Sequence, residues 1–331
     1  MIQQSTLKEL SQVLGISIST VSRALNDHPD ISDNTKRKVK ELAVAMEYEP
    51  NSYAVQLRTK HNNVLGILVP TINNFFYNSF IAAVEDEARL HGYSVLIMQS
   101  MDKLETETGN LNLFKKNMVA GLFVSISIET EDPAPFLKLN ELKMPVIFFD
   151  RVPDTDVCNK VCLADTEAGK IAAEAIVQKK KKHVLALFGH PQLSITKKRM
   201  NAFTETMRAL SPGTKVDLAF PQRIEESKKE TSRAMDVAHW PDVIFCMSDL
   251  ILIGAMYAIH EKKLRIPEDI AVISVSNGFL PTLYNPNITY VETNGFKLGK
   301  RAFAQMLSCL RGNNTVEEVF IDTLLVKGGS L

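Results

Sequence analysis

From Val64 onward, short apolar runs alternate with amphipathic stretches, and this alternation constrains the fold more than anything else in the chain. Val64-Leu65-Gly66-Ile67-Leu68-Val69 is an unbroken apolar run, and 77–90 then has the pattern of an amphipathic helix. The order repeats with strands at 93–98, 119–125 and 145–149 and a helix at 107–117. Strands buried on both faces read as continuous apolar runs, and parallel neighbours need a helical crossover. The chain therefore predicts a parallel sheet wrapped by helices. A second series opens at 161–163 and runs through strands at 183–188, 216–220, 243–247 and 270–275. Its helices fall at 168–178, 194–207 and 250–262. A helix at 296–310 and a strand at 319–326 are left over.

Residues before Asn62 lack this pattern. Thr6 and Glu9 stand at the spacing of a capping box, which starts a helix. Leu7, Leu10 and Leu14 form one apolar stripe. Gly15 can take the positive φ that turns the chain, and Ser17 is placed to cap a second helix. Val21 and Leu25 face inward, while Ile18, Ser19, Ser22 and Arg23 share the other face. This is helix-turn-helix spacing. A small polar face with one arginine suits a DNA major groove about 12 Å wide. A third helix, capped by Ser32, buries Val39, Leu42, Ala43 and Met46. Lys36, Arg37, Lys38 and Lys40 lie on or near its exposed side, as a solvated face or as phosphate contacts. Pro50 breaks that helix, and 51–58 can form only a short one, marginal in isolation.

Charge does not single out a nucleic-acid binder. The 331 residues hold 38 Lys+Arg and 38 Asp+Glu. In 1–62, eight cations (Lys8, Arg23, Lys36, Arg37, Lys38, Lys40, Arg58, Lys60) face seven acids (Glu9, Asp27, Asp30, Asp33, Glu41, Glu47, Glu49). Placement must carry the recognition. The four cysteines, Cys158, Cys162, Cys246 and Cys309, match no zinc spacing and read as reduced, mostly buried thiols. No apolar run approaches the roughly 18 residues of a membrane span, and no export leader is visible, so a cytoplasmic location is expected. No P-loop, metal-binding HExxH or nucleophile elbow occurs, so neither an enzyme nor a cofactor or metal is expected. Trp240 reads as a packing residue, and His183 and His190 as too isolated for ligands or bases.

The run Ser19-Thr20-Val21-Ser22-Arg23-Ala24-Leu25-Asn26, then Tyr48-x-Pro50-Asn51 and Ala54-x-x-Leu57, resembles the LacI/GalR family of bacterial transcriptional regulators. The resemblance implies that Ile18, Ser19 and Arg23 read bases, and that Ser17, Thr20, Ser22 and Asn26 position the helix on the backbone. It makes 51–58 a hinge helix in which Leu57, supported by Asn51 and Ala54, wedges into the minor groove. Val55 departs from the polar or basic residue often found there. The implied architecture is an all-α helix-turn-helix head (1–49), a hinge and linker (50–60) and a bilobed α/β core. The core resembles periplasmic sugar-binding proteins, its first lobe being 61–160 plus 294–327 and its second 161–293. A homodimer on near-palindromic double-stranded operator DNA, controlled by a carbohydrate-like effector, is expected. A solute-binding sensor without gene control is the alternative.

Open parallel sheets bind ligands beyond the carboxyl ends of their strands. Asn74 and Phe76, Ser125, Asp150, Arg199, Ser248 and Asp249, and Ser276 and Asn277 occupy such positions. Amides, acids, an arginine and an aromatic suit a sugar-like ligand. By family position, Asn74, Phe76, Asp150, Arg199 and Asp249 are the foremost of these. Ser248-Asp249 stands where relatives usually show Asn-Asp, and Ser276-Asn277 where they often show an Asp pair, so a sugar-binding carboxylate is missing at 276. Asp249, before an apolar helix, reads equally well as an N-cap.

Overall fold

Bonds between residues three apart build the N-terminal unit. Thr6 Oγ1 accepts from the Glu9 N–H at 3.3 Å, and Glu9 returns a carboxylate to the Thr6 N–H at 2.8 Å. This box starts α1 (Leu7–Leu14). Gly15, at φ 64°, takes the left-handed turn, and Ser17 then caps α2 (Ile18–Leu25) by accepting from the Thr20 N–H at 3.1 Å. Ser32 caps α3 (Asp33–Ala45) in the same way. Leu10, Val21, Ala24 and Val39 are fully buried between the three helices. Leu7, Leu14, Leu25, Leu42 and Met46 close over them. The computed structural model describes residues 6–48 and 62–331; the expected hinge helix, with Asn51, Ala54 and Leu57, lies outside the described residues.

The second unit, residues 63–331, holds two six-stranded sheets. The first begins with β1 (Val64–Val69), α4 (Phe75–Leu90), β2 (Ser94–Gln99), α5 (Leu104–Lys116) and β3 (Gly121–Val124). It continues through α6 (Ala134–Glu141), β4 (Val146–Phe149) and β5 (Asn159–Leu163). The second lobe follows as α7 (Asp165–Gln178), β6 (His183–Leu187), α8 (Ser194–Leu210), β7 (Lys215–Ala219), α9 (Ile224–Met235), β8 (Val243–Cys246), α10 (Asp249–Glu261), β9 (Ala271–Ser276) and β10 (Thr289–Glu292). The chain then returns through α11 (Gly295–Leu310) and β11 (Glu318–Ile321) and ends with β12 (Leu325–Val326). Spatial orders are β11-β5-β4-β3-β1-β2 and β12-β10-β9-β8-β6-β7. Leu298, Ala302, Phe303 and Met306 of α11 join the first lobe's core beside Phe80, Ile147 and Phe149.

Two expected boundaries move. The strand at 161–163, expected to open the second lobe, belongs to the first sheet, where β5 runs parallel to both β4 and β11. The crossover falls after it, at Ala164. The strand expected at 319–326 in the first lobe is two strands in two sheets: β11 lies along β5, and β12 is antiparallel to β10. Thr323 breaks the run by donating its hydroxyl to the Glu292 carbonyl.

Helix α9 escapes a periodicity reading because its buried stripe is Ser227, Thr231 and Met235, two of them polar. Ser227 satisfies its hydroxyl on the Ile251 carbonyl at 2.7 Å. Helices α7 and α8 approach so closely that a Cβ on Gly169 would stand 2.2 Å from the Arg199 carbonyl oxygen. Gly169→Ala should therefore destabilise the chain by about 1–3 kcal/mol, the usual cost of overpacking. Urea unfolding measures this, and an unchanged midpoint would contradict so close an approach.

Candidate functional site

Helix α2 presents a compact outward face. Ile18 is 46 % exposed, and Ser17, Ser19, Arg23 and Asn26 are also exposed, while Thr20 and Ser22 are half-buried. Ser17 Oγ lies 2.7 Å from Ser19 Oγ and 2.8 Å from Thr20 Oγ1, so three hydroxyls gather at the helix start. Asn26 closes the helix by donating its amide to the Ser22 carbonyl at 2.6 Å. Arg23 has no ion pair or side-chain hydrogen bond among the described residues, which leaves its guanidinium available. The basic run on α3 is more committed. Lys40 meets Asp27 at 2.6 Å, Lys36 meets Asp33 at 3.7 Å, and Arg37 meets Glu41 at 4.0 Å. Exposed pairs of this kind are worth about 0–1 kcal/mol.

In the second unit, the carboxyl ends of both sheets open onto one cavity of about 480 Å³ between the lobes. That is within the range of small-molecule sites. Asn74, Phe76, Asp150, Arg199, Ser248, Asp249, Ser276 and Asn277 all line it. Ser125 does not: it is fully buried one layer behind, 3.1 Å from the Tyr77 hydroxyl. Ser125 directly follows β3, and its hydroxyl is taken up by Tyr77, which itself lines the cavity.

The first-lobe wall centres on Asp150, which sits at φ 56° and is 8 % exposed. Tyr77 donates its hydroxyl to Asp150 Oδ2 at 2.8 Å. Burial pushes the Asp150 carboxyl up, against the opposing pull of Arg151 and the Tyr77 bond. Burial, reinforced by the Asp150 charge, also pushes the Tyr77 phenol up. Arg151 is held on Asp102 at 2.5 Å, and Asp102 also accepts from the Ile128 N–H at 3.1 Å. This fixes the loop after β3 along the cavity rim.

The second-lobe wall centres on Arg199 and Asp249. Arg199 Nε and Nη2 both reach Asp165 Oδ1, at 2.8 and 2.7 Å, and Nη1 donates to the Met247 carbonyl at 3.0 Å. Two of its five N–H groups remain for a ligand. Burial pushes the Asp165 carboxyl up, and Arg199 opposes that shift. Asp249 is not an N-cap: Ser248 holds that position, without a side-chain capping bond. The Asp249 carboxylate instead accepts the Ser276 hydroxyl and, at 3.3 Å, the Asn277 N–H. Burial raises its carboxyl, and those two bonds lower it.

Asn277 is placed less as a ligand contact than as a pin. Its Nδ2 donates to Ser79 Oγ of the first lobe at 2.7 Å, and its Oδ1 accepts from the Gly295 N–H at 2.9 Å. Phe75 and Phe279 add a ring contact across the lobes at 5.6 Å between centroids. Tyr77, in the segment that follows the first strand, also lines the cavity, and sequence reasoning missed Asp102, Glu129, His190 and Arg223, which line it too. All follow strand carboxyl ends, so the rule that found the others could have found them. His190, set aside as isolated, follows β6 in this way. All four cysteines are free thiols, with Cys158, Cys162 and Cys246 buried.

Truncating one member of a buried ion pair strands the other. Asp165→Ala should cost about 3–5 kcal/mol of stability, measured by chemical denaturation, and should loosen Arg199 on the cavity wall. A loss under about 1 kcal/mol, the range of an exposed pair, would contradict the burial of this one.

Residues 6–51 match the sequence profile of bacterial regulatory proteins of the lacI family, and 173–331 match a periplasmic binding protein-like domain. The transcriptional regulator RegA of Clostridium saccharobutylicum is 27 % identical over 332 residues, covering 96 % of each chain. The lac repressor dimer, solved with operator and the anti-inducer ONPF, superposes with a TM-score of 0.86 at 20 % identity, covering 99 % of each chain. A LacI family transcriptional regulator from Enterococcus faecium, solved with bound ribose, superposes with a TM-score of 0.73 at 18 % identity, covering 81 % of this chain and 98 % of that one. No described helix is long and apolar enough to cross a membrane. The helix-turn-helix head thus agrees with the lacI-family profile over 6–51, and the two-sheet core with the periplasmic binding protein-like profile over 173–331.

Proposed function

We propose that this chain is a sequence-specific DNA-binding transcriptional repressor whose operator affinity is set by a small carbohydrate-like molecule held between its two lobes. The observation that carries the reading is the joint presence of an exposed, uncommitted Arg23 on α2 and a polar cavity spanning two lobes. The head argues against a plain solute-binding sensor, which needs no such face. Support for DNA as partner comes from the lac repressor, solved on operator, and for a sugar from the ribose-bound relative.

In this reading two copies dimerise, and each α2 enters the major groove of one half of a near-palindromic site. Ile18, Ser19 and Arg23 read bases, while Ser17, Thr20, Ser22 and Asn26 fix the helix on the backbone. Leu57, supported by Asn51 and Ala54, wedges into the minor groove and kinks the DNA. Asn74, Phe76, Asp150, Arg199, Ser248 and Asp249 hold the effector, with Ser276 and Asn277 supporting them from behind. A ligand touching both lobes favours one lobe angle over another, and its coupling to DNA is the difference in its affinity for the two.

A gel-shift selection of genomic fragments tests the reading; failure to retain any fragment, with or without ligand, counts against it. On a recovered operator, Arg23→Ala should cost roughly 1–3 kcal/mol and relax base preference, and unchanged specificity would displace α2 as the reading helix. Leu57→Ala should reduce operator bending with little loss of fold stability. A bend angle equal to that of the parent chain refutes the wedge.

A further inference from the structure

Three of the four lysines and arginines lining the cavity are already spent on carboxylates. Arg199 holds Asp165 at 2.7 Å, Arg151 holds Asp102 at 2.5 Å, and Lys103 holds Glu129 at 3.1 Å. Arg223 is the exception: it is exposed at the rim and has no ion pair among the described residues. Once those pairs are removed from the count, the lining carboxylates that remain are Asp150 and Asp249, one on each lobe. Both are 8 % exposed, and both are hydrogen-bonded to neutral groups alone. They differ in one respect. Arg151 and Arg199 act on Asp150 through space, whereas Asp249 has no ion pair among the described residues, and burial and its two hydrogen bonds are what act on its carboxyl.

A buried carboxylate without a counter-charge is held at a cost in free energy, relieved by a cation or by strong donors. A phosphate or carboxylate on the ligand would set a like charge beside it. A neutral hydroxyl would donate one hydrogen bond to the carboxylate but bring no charge. An ammonium supplies both the missing charge and several N–H groups. We infer that the ligand of this cleft is an aminated sugar, its ammonium seated on Asp249 and its hydroxyls shared between Asp150 and the Arg199 fork. This rests on reading the cleft as a sugar-type site. It also gives meaning to the serine at 276, whose hydroxyl holds Asp249 in place without adding a second charge.

The test is calorimetry on the full chain with matched probes: glucose, glucosamine and glucose 6-phosphate, and galactose with galactosamine and galactose 6-phosphate. Within at least one series the amino sugar should bind at least tenfold more tightly than its parent, and the phosphorylated member more weakly than either. Asp249→Asn should collapse the preference for the amine toward that for the parent sugar. The ranking in the unsubstituted chain decides the matter even where that variant fails to fold. Tightest binding of the phosphorylated probes, with Arg223 as their partner, would overturn the inference. So would equal binding of amine and parent, or no binding of either amino sugar at millimolar concentration by a chain that still retains operator DNA. That last result leaves the regulatory reading standing; loss of DNA retention in the unsubstituted chain removes that reading instead.

Discussion

The backbone passes between the two sheets three times, and the rest of the core depends on how those passages are bound to one another. They are short and cross-linked by main-chain bonds. The Ala164 N–H reaches the Ile321 carbonyl at 3.1 Å, and the Glu292 N–H reaches the Leu324 carbonyl at 2.8 Å. The third passage is thus bonded to each of the other two. Asn277 joins Ser79 to the start of α11. Its backbone is in turn held by Asp249 on the cavity wall. A change at the wall therefore reaches the interlobe pin through two hydrogen bonds.

Electrostatics divide the molecule into two regimes. On the head, cations meet acids in water, at pairs such as Lys40 with Asp27. Such exposed pairs hold little energy and are screened by salt. Around the cleft, burial is the largest influence on Asp150, Asp165 and Asp249 alike. There Asp165 is paired with Arg199, while Asp150 and Asp249 are held by neutral donors. The same residue types thus meet in exposed pairs on the head and in buried hydrogen-bonded groups on the cavity wall.

The legible parts of this protein are those whose physics is local. The capping box, the Gly15 turn and the caps at Ser17 and Ser32 each involve residues three or four apart, so spacing alone reveals them. The apolar strands of the parallel sheets are legible because burial on both faces leaves no alternation to misread. Helix α9 was not, since its inward stripe is Ser227 and Thr231 rather than leucine. Strand β10 was not read, and β12 was read as a continuation of β11, because the partner that separates them is distant in sequence. Strand β5 was read as a strand but given to the wrong lobe, because nothing in its own residues says which neighbour it pairs with. In the cleft, the rule about strand ends brought eight residues to the cavity. It could not tell that Ser125 turns behind Tyr77 or that Asn277 spans two lobes, as both depend on partners distant in sequence.

The discontinuity of the first sheet also has a cost in time. Strand β5 ends at Leu163, yet β11, which lies along it, begins only at Glu318. A ribosome must therefore deliver the entire second lobe before the first can be completed. Until then β5 is an unpaired edge beside a core that still lacks Leu298, Ala302 and Phe303 of α11. Open strand edges and bare apolar surface are what nascent chains aggregate through. The head has no such dependence, since its capping bonds and buried contacts lie within residues 6–48 and are available early in synthesis. The head can thus be finished while the first lobe is still open, and that interval is when the chain is most exposed to aggregation.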